Sequence, residues 1–458
     1  MSDTALHAER LTQGETRWGI PSPLFMHNPS LLRALARCFL AGEPTVEQIA
    51  ARAGRTLGRQ WRWLRPLAQR YLNAVTGRTR PRHRDVVQFF LNDRNFGRAW
   101  SIHFHELSVS QWISEPQEMQ PMAVAAGWDI PRIESVRALC DWLWLDLGEL
   151  EWFADLKGLV NKKTRPLLRH YHYRVLSKWD GNVRLIEAPK PRLKSLQRQI
   201  LTEILDKIPP HRAAHGFLKG RSIRTFVSPH AGQQVVLRLD LSDFFPTYSA
   251  ARIQTVFRAM GYPEPVADLL GGICTNAAPR DLFTGLTYDT RSLYLRPHLP
   301  QGAPTSPALA NLCAYRADCR LAGLAESAGA RYTRYADDLA FSGGEDFERR
   351  VERFSTHVAA ILLEEGFAVN HRKTRIMRRG VRQRLAGLVV NEHMNVRRRD
   401  FDRLKATLAN CARLGTGGQN RAGHADFRAH LEGKVGFVES VNPAKGKRLR
   451  DVFERIQW

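Results

Sequence analysis

The spacing of apolar residues changes character near residue 170. Before that point apolar positions recur with helical spacing, most clearly over 45–72, where Thr45 is placed to cap a helix and Gly54 to turn the chain. This stretch resembles a helix-turn-helix only weakly. Nine of the eleven tryptophans also fall at or before Trp152, so the composition changes close to the same place. The pattern predicts a helical, Trp- and Arg-rich N-terminal domain over 1–165.

Beyond residue 170 the pattern alternates between strands and helices. It predicts, in order, a hairpin turning at Asp180-Gly181, an amphipathic helix, an apolar strand, a strand–turn–strand unit and a helix. These five segments are 173–189, 191–208, 235–245, 331–343 and 348–365. We therefore expect an α+β fold behind the helical N-terminal domain.

The charge of the chain narrows the class of partner. Lys and Arg number 69 against 45 acidic residues, which gives a net charge of +24 and a pI near 10.4. Such a surplus favours nucleic acid or an anionic membrane as partner. Residues 51–100 hold twelve Arg and no Lys, against Asp85 and Asp93. Arg59, Arg62 and Arg65 either contact RNA or DNA there, or belong to the solvated basic face of a helical bundle.

Two further observations concern the cell compartment. No run of about 18 apolar residues occurs, so we expect no membrane-spanning helix and no membrane partner. The polar N-terminus lacks the order of a secretory signal, which predicts a cytoplasmic protein. The six cysteines form no CxxC pair and are interpreted as reduced structural thiols.

Three carboxylates are the strongest candidates for chemistry. Asp240 lies in an otherwise apolar strand, and Asp337 and Asp338 are adjacent at the turn of a hairpin. Buried or adjacent carboxylates are costly unless a cation compensates them, and oxygen ligands suit Mg²⁺. We expect two Mg²⁺ ions, with Mn²⁺ as a possible substitute, because two ions can activate a hydroxyl and stabilise a pyrophosphate leaving group.

These carboxylates lie in segments that resemble the reverse transcriptase family in the correct order. Tyr335-Ala336-Asp337-Asp338 resembles its YxDD box, and Asp240 with the following residues resembles its first palm motif. Residues 299–307 resemble the motif between them, and 366–377 the next one. The resemblance implies a right-hand polymerase, with fingers and palm over 166–380 and an RNA-binding thumb over 381–458.

The resemblance also implies roles for individual residues. Asp240, Asp337 and Asp338 would be catalytic and bind the metals. Phe245 would lie against the sugar and select dNTPs, or would be a core aromatic. The residues implied in dNTP binding are Arg184, Lys190, Asp243, Phe244, Phe245, Gln301, Gly302 and Lys373. Arg184 and Lys190 could instead be surface charges, and Lys373 could contact backbone phosphate.

Within that family the chain resembles bacterial retron enzymes, specifically a divergent branch with a long N-terminal extension. The supporting segments are 184–201, 214–223, 299–312, 385–399 and 430–449. The resemblance implies a structured noncoding RNA as template and primer, its cDNA as product and dNTPs as substrates. It further implies priming from an RNA 2′-hydroxyl to give branched RNA–DNA (msDNA), and a role in anti-phage defence with a possible effector protein.

Two signatures depart from the retron pattern. Of an Asn-Ala-x-x-His signature only His230 is present, and a Val-Thr-Gly signature is replaced by Leu385-Ala386-Gly387. The C-terminal third nevertheless carries clustered arginines that are typical of phosphate binding. The residues expected to bind RNA are Arg378, Arg379, Arg382, Arg384, Arg397, Arg398 and Arg399. The alternatives are a non-retron bacterial reverse transcriptase and a catalytically idle RNA-binding protein of the same fold.

Overall fold

A computed structural model describes residues 28–160, 166–177, 183–283 and 288–458. The chain divides into two compact units: unit 1 comprises Met1–Lys157 and Gln254–Ile273, and unit 2 comprises Gly158–Ile253 and Cys274–Trp458. The expected turn at Asp180-Gly181 and the polar N-terminal segment lie outside the described residues. No helix within the described ranges is long and apolar enough to cross a membrane.

The N-terminal region is helical, as predicted. Its helices are α1 (Pro29–Leu40), α2 (Val46–Thr56), α3 (Leu64–Val75), α4 (His83–Asn92), α5 (Arg94–His103), α6 (Val136–Leu143) and α7 (Leu147–Ala154). The Thr45 side chain caps α2 by accepting from the backbone NH of Gln48 at 3.3 Å. Helices α1 to α5 bury a common apolar core that includes Phe39, Phe90 and Trp100.

The expected turn at Gly54 is wrong by one helical turn. Gly54 lies inside α2, and the chain leaves the helix at Leu57 and turns at Gly58, where φ is +69°. Gly58 suits this place because a positive φ strains residues with a side chain. The loop that joins α2 to α3 therefore covers residues 57–63.

The next part of the chain alternates strands and helices. It contains β1 (Tyr171–Ser177), β2 (Val183–Pro189), α8 (Pro191–Glu203), α9 (Ile223–Val227), β3 (Val235–Asp240), α10 (Ala250–Ala259) and α11 (Glu264–Cys274). Strands β1 and β2 form the antiparallel ladder of the predicted hairpin. The strand expected over 235–245 ends at Asp240, because the chain turns through Asp243 at a φ of +46°.

The remaining elements complete unit 2. They are α12 (Tyr288–Leu295), α13 (Ser306–Cys313), α14 (Tyr315–Ser327), β4 (Arg331–Tyr335), β5 (Asp338–Gly343), α15 (Glu345–Glu364), β6 (Arg375–Arg378), β7 (Arg384–Leu385), β8 (Leu388–Val389), α16 (Arg398–Leu414), α17 (Phe427–Val441) and α18 (Pro443–Phe453). Strands β4, β5, β3 and β6 form an antiparallel sheet in that order, and α14 and α15 pack against it. This confirms the expected α+β fold. Helices α16 to α18 share a second core.

Candidate functional site

Strand register brings the three predicted carboxylates to one end of the sheet. Asp240, the last residue of β3, is the cross-strand partner of Asp338, the first residue of β5. The backbone NH of Leu241 donates to the carbonyl oxygen of Asp337 at 2.9 Å, which fixes the hairpin turn beside the end of β3. Residues about a hundred positions apart in the chain thus meet because two antiparallel strands pair in one register.

Two cations compensate two of these carboxylates. Lys373 Nζ lies 3.0 and 3.2 Å from the carboxylate oxygens of Asp240. Arg238, also on β3, binds Asp338 with a shortest nitrogen–oxygen distance of 2.6 Å. Asp337 forms no ion pair among the described residues, and its burial, together with the neighbouring Asp240, raises its pKa to about 6. Three carboxylates therefore face two cations.

The three carboxylates provide the type of ligand atom that divalent cations bind. The carboxylates supply hard oxygen ligands, and burial and the neighbouring Asp240 both raise the pKa of Asp337, so a cation bound there would favour its charged form. In the described part of the chain, no three acidic, His or Cys residues already converge as a metal cluster. Asp240 and Asp338 contact Lys373 and Arg238 instead.

A buried arginine supports the turn that carries Asp337 and Asp338. Arg334 donates to both carboxylate oxygens of Asp318, from Nε at 2.8 Å and from Nη2 at 2.6 Å. Its Nη1 donates to the carbonyl oxygen of Ala336, the turn residue with a φ of +54°, at 3.2 Å. Burial opposes the charge of Arg334, but Asp318 outweighs that effect and raises the arginine pKa. Neither residue of this pair was among the predicted site residues.

The segment before α9 lies across the same turn. The backbone NH of His215 donates to the carbonyl oxygen of Arg334 at 2.7 Å, and the NH of Arg334 donates to that of Ala213 at 2.7 Å. A Cβ atom on Gly216 would lie 2.8 Å from the backbone nitrogen of Ala336. Glycine is required at 216 because backbone, not a flexible side chain, occupies that space.

Aromatic rings gather beside the carboxylates. The half-buried Phe245 lies 6.1 Å, between ring centroids, from Phe217, which is 49% exposed and lies 6.3 Å from Tyr335. Phe244 is buried and packs on Tyr248 at 5.3 Å. The ring of Phe245 is thus accessible to a ligand, whereas that of Phe244 belongs to the core. Phe217 was not among the predicted site residues.

The segment with Gln301 and Gly302 rests on β2. The backbone NH of Glu187 donates to the carbonyl oxygen of Gln301 at 3.0 Å. Gly302 has a φ of +138°, and a Cβ there would lie 2.8 Å from the carbonyl oxygen of Glu187. The buried Glu187 carboxylate also accepts from His298 Nε2 at 2.9 Å. Burial disfavours charge on His298, but Glu187 outweighs it and raises the histidine pKa.

The two cations predicted to bind triphosphate differ in accessibility. Arg184 is exposed on β2. Lys190 Nζ donates to the carbonyl oxygens of Pro166 and Leu167 at 3.0 and 2.9 Å, so its ammonium group already has partners. Of the two, Arg184 is the freer to meet a ligand. Asp243 lies in the turn after β3, with a φ of +46°.

The arginines predicted to bind RNA fall into two groups. Three have acidic neighbours: Arg378 beside Glu348 and Glu352, Arg397 beside Asp400, and Arg398 beside Asp402. The other four are exposed and form no ion pair among the residues that the structure describes. These four are Arg379, Arg382, Arg384 and Arg399. These four arginines therefore carry the positive charge that is most available to phosphate groups.

His230 has a structural position. It is fully buried, and its ring nitrogens each lie 2.7 Å from a hydroxyl, Nδ1 from Ser342 on β5 and Nε2 from Thr333 on β4. It thereby links the two strands that flank the Asp337-Asp338 turn. Burial lowers the pKa of His230 to about 3. In the second divergent signature, Ala386 and Gly387 both have positive φ, +45° and +85°.

Comparisons with known proteins agree with this geometry. Residues 173–400 match the family described as "Reverse transcriptase (RNA-dependent DNA polymerase)". The retron Mx65 and Mx162 reverse transcriptases of Myxococcus xanthus are 42% and 36% identical, over 63% and 69% of this chain and 65% and 66% of theirs. The retron Ec86 reverse transcriptase of Escherichia coli is 30% identical, over 61% of this chain and 78% of its own.

The matched region spans just under two thirds of the length of the two Myxococcus relatives. It includes both strands that carry the carboxylates, β3 and β5, and the family match alone extends from within β1 to the first turn of α16. Asp240, Asp337 and Asp338 thus lie within the residues that match the family. The chain belongs to the retron reverse transcriptase family.

Proposed function

We propose that this chain is an RNA-directed DNA polymerase. It would join a nucleic-acid hydroxyl to the α-phosphate of a dNTP and release pyrophosphate. The observation that carries the proposal is the meeting of Asp240, Asp337 and Asp338 at one end of the sheet, with one carboxylate more than the neighbouring cations. This arrangement disfavours the alternative of a catalytically idle RNA-binding protein, because RNA binding does not require an uncompensated carboxylate.

Residues around the carboxylates have separate tasks. Asp240, Asp337 and Asp338 would hold Mg²⁺, or Mn²⁺ in its place, which activates the attacking hydroxyl and stabilises the leaving group. Arg184 would bind the triphosphate, because it is exposed and guanidinium matches phosphate oxygens. Lys373, beside Asp240, would lie near the pyrophosphate. The half-buried ring of Phe245 would press against the sugar and disfavour a 2′-hydroxyl.

Gln301 and Gly302 would line the pocket for nucleotide and template. Gly302 lets the segment approach β2 without a side chain, which brings Gln301 next to the strand that carries Arg184. The buried ion pair between Glu187, which is on β2, and His298 also holds this segment against β2. A firmly held loop suits a site in which the incoming nucleotide must be placed within a fraction of an ångström.

We further propose a retron role for this polymerase. Its template and primer would be one structured noncoding RNA, and synthesis would start from an RNA 2′-hydroxyl to give msDNA in the cytoplasm. The named relatives and the four exposed arginines of the C-terminal third support an RNA partner. Anti-phage defence with an effector protein is the biological role that this product suggests.

The double variant Asp337→Asn/Asp338→Asn tests the polymerase proposal. Purified parent chain should extend a primer on an RNA template with dNTPs, and the variant should lose extension while it retains most RNA binding. Asp346→Asn/Asp451→Asn removes the same charge at exposed positions and should stay active. Extension that survives in the Asp337/Asp338 variant would contradict the site.

Sequencing of the nucleic acid that copurifies with the chain tests the retron proposal separately. The sample is treated with RNase or with debranching enzyme before sequencing. One dominant short DNA joined to a structured RNA through a 2′ branch supports the proposal. Bound RNA without branched DNA, from a chain that still extends primers, would remove the retron role and leave the polymerase intact.

A further inference from the structure

The sequence between Glu47 and Asp85 holds ten arginines and no acidic residue. The structure separates these arginines by environment. Arg52 and Arg80 are buried and donate to backbone carbonyl oxygens. Five others have acidic neighbours, namely Arg55, Arg59, Arg70, Arg82 and Arg84. Arg62, Arg65 and Arg78 are exposed and form no ion pair in the described ranges.

Arg62 and Arg65 lie at the start of a polar helical face. Arg62 lies in the loop two residues before α3, Arg65 is in the first turn of α3, and Gln69 and Asn73 follow at intervals of four residues. All four are exposed, and Gln69 Nε2 donates to Asn73 Oδ1 at 3.0 Å. Since residues four apart share one side of a helix, Arg65, Gln69 and Asn73 form a single surface, which Arg62 precedes in the chain. We call these four residues the α3 face.

The opposite side of α3 is held firmly. It buries Leu64, Leu67, Ala68 and Tyr71 in the core shared with α2. Arg70 donates to both carboxylate oxygens of Asp93 at 2.7 and 2.8 Å, and Asp93 caps α5. The ring of Trp63 lies 5.4 Å from that of Phe96 in α5. The α3 face therefore projects from a rigid support.

Helix α5 adds positive charge beside α3. The Arg70–Asp93 and Trp63–Phe96 contacts hold the first turn of α5 against α3. Arg94 and Arg98 are exposed on α5 and form no ion pair within the described part of unit 1. The polar face of α3, which holds no acidic residue, is thus flanked by further guanidinium groups. This distribution of charge matches a polyanion that has a groove between its phosphates.

We propose that the α3 face is a binding site for duplex DNA, with α3 in the major groove. The α2–loop–α3 unit has the order of a helix-turn-helix, in which the second helix enters the groove. The 12 residues of α3 extend over about 18 Å. Arginine forms paired hydrogen bonds with guanine, and Asn and Gln form them with adenine. A-form RNA has a major groove too narrow for a helix, so the ligand is DNA.

This site is distinct from the proposed polymerase site. Every residue of the α3 face belongs to unit 1, whereas Asp240, Asp337 and Asp338 belong to unit 2. Loss of the α3 face should therefore leave primer extension unchanged. The same independence lets an experiment on the whole chain separate the failure of one proposal from the failure of the other.

The test measures binding of the full chain to a DNA dumbbell, a duplex of about two helical turns closed at both ends so that it offers no primer terminus. Arg62→Gln/Arg65→Gln should weaken binding about tenfold or more. It should also make the dependence of log K on log salt shallower by about two, because two positive charges that displace counterions from the DNA are lost. Thermal unfolding should not change, since both side chains are exposed.

Arg349→Gln/Arg353→Gln is the matched control, because it removes two exposed arginines from α15. It should bind the dumbbell as the parent does. Unchanged affinity and salt dependence in the Arg62/Arg65 variant would overturn the proposal. An equal loss of affinity in the control variant would also overturn it. So would an RNA duplex that the parent binds as tightly as DNA and whose binding weakens equally in the Arg62/Arg65 variant.

A second variant, Gln69→Ala/Asn73→Ala, tests base reading without a change of charge. The parent chain should enrich a sequence motif from a pool of randomised DNA duplexes, and this variant should lose the enrichment while its salt dependence stays the same. A parent chain that enriches no motif, or a variant that enriches the same one, would overturn the placement of α3 in the groove.

Discussion

Arg238 donates two hydrogen bonds to a single carboxylate oxygen of Asp338, from Nε at 2.9 Å and from Nη2 at 2.6 Å. Burial raises the pKa of Asp338, and Arg238 opposes that effect. The two residues lie on paired strands, and the cross-strand partner of Asp338 is Asp240. Arg238 thus favours the charged form of Asp338, and it would compete with a metal cation for that carboxylate.

Replacement of Arg238 by Met should change the response to Mg²⁺. Without metal the variant should lose about 1 kcal/mol of unfolding free energy, because a charged hydrogen bond is lost in a partly exposed pair. Added Mg²⁺ should then stabilise the variant more than the parent. Thermal unfolding in EDTA and across a Mg²⁺ titration measures both effects. Arg375→Met, at the register partner on β6, is the control; equal Mg²⁺ responses in the two variants would contradict the competition.

Removal of Arg334 should destabilise the fold strongly. Arg334→Met leaves Asp318 charged and buried without its partner, which costs about 3–5 kcal/mol. The double variant Arg334→Met/Asp318→Leu should lose less than the single one, because no charge is then stranded. Chemical denaturation of both singles and the double gives the coupling energy. Additive losses would show that the pair does not act as a unit.

Phe245→Val should relax selection against ribonucleotides. A smaller side chain leaves room for a 2′-hydroxyl, so discrimination between dNTPs and rNTPs should fall by about 10- to 100-fold. Single-nucleotide insertion with dNTP and rNTP pairs measures the ratio. Phe217→Val, whose ring lies 6.1 Å from that of Phe245, tests whether the effect belongs to this ring alone. Discrimination as strong as in the parent would refute the assignment of Phe245.

His230 should make the fold sensitive to acid. Its pKa is lowered to about 3 by burial and by the nearby Arg331 and His215, against an ordinary value near 6.5. The unfolded chain therefore binds more protons at this position, so stability falls as pH drops below about 6.5 and continues to fall to about pH 3. Between pH 7 and pH 5 the loss from His230 alone should be about 2 kcal/mol.

Chemical denaturation at the two pH values, in parent and His230→Gln, measures this term. The difference in unfolding free energy between pH 7 and pH 5 should shrink in the variant, because glutamine does not titrate. The opposite pH dependence is expected for His298. Because its pKa is raised in the folded protein, its contribution to the unfolding free energy increases as the pH falls. His230→Gln with the pH dependence of the parent would show that another group is responsible.

The carboxylates could be predicted from the sequence because their signals are local. Asp240 interrupts an apolar strand, and Asp337 and Asp338 occupy a hairpin turn, so each stands out within a few residues of chain. The helical N-terminal region and the alternating strands follow from apolar spacing in the same way. The roles assigned to the nucleotide- and RNA-binding residues stay predictions, although the structure shows which of them are exposed.

The supporting residues could not be predicted because their partners are distant in sequence. Arg238 reaches Asp338 only in one strand register, and Arg334 reaches Asp318 only once α14 packs on β4. The inclusion of residues 254–273 in unit 1 is likewise a matter of tertiary packing. The error at Gly54 has a different cause, since a glycine at the end of a helix and one in a turn look alike in sequence.

The contact of Gly216 with Ala336 bears on the order of folding events. The turn that carries Asp337 is complete only when the segment before α9 and the end of β3 are both in place, and the contacts involved, Leu241–Asp337 and Gly216–Ala336, join residues 96 and 120 positions apart. Closure of such long loops delays assembly relative to hairpins and helices. We therefore expect the hairpins and helices to form early and the sheet, with its carboxylate cluster, to mature in a late, slow phase, which makes polymerase activity the last property to return on refolding.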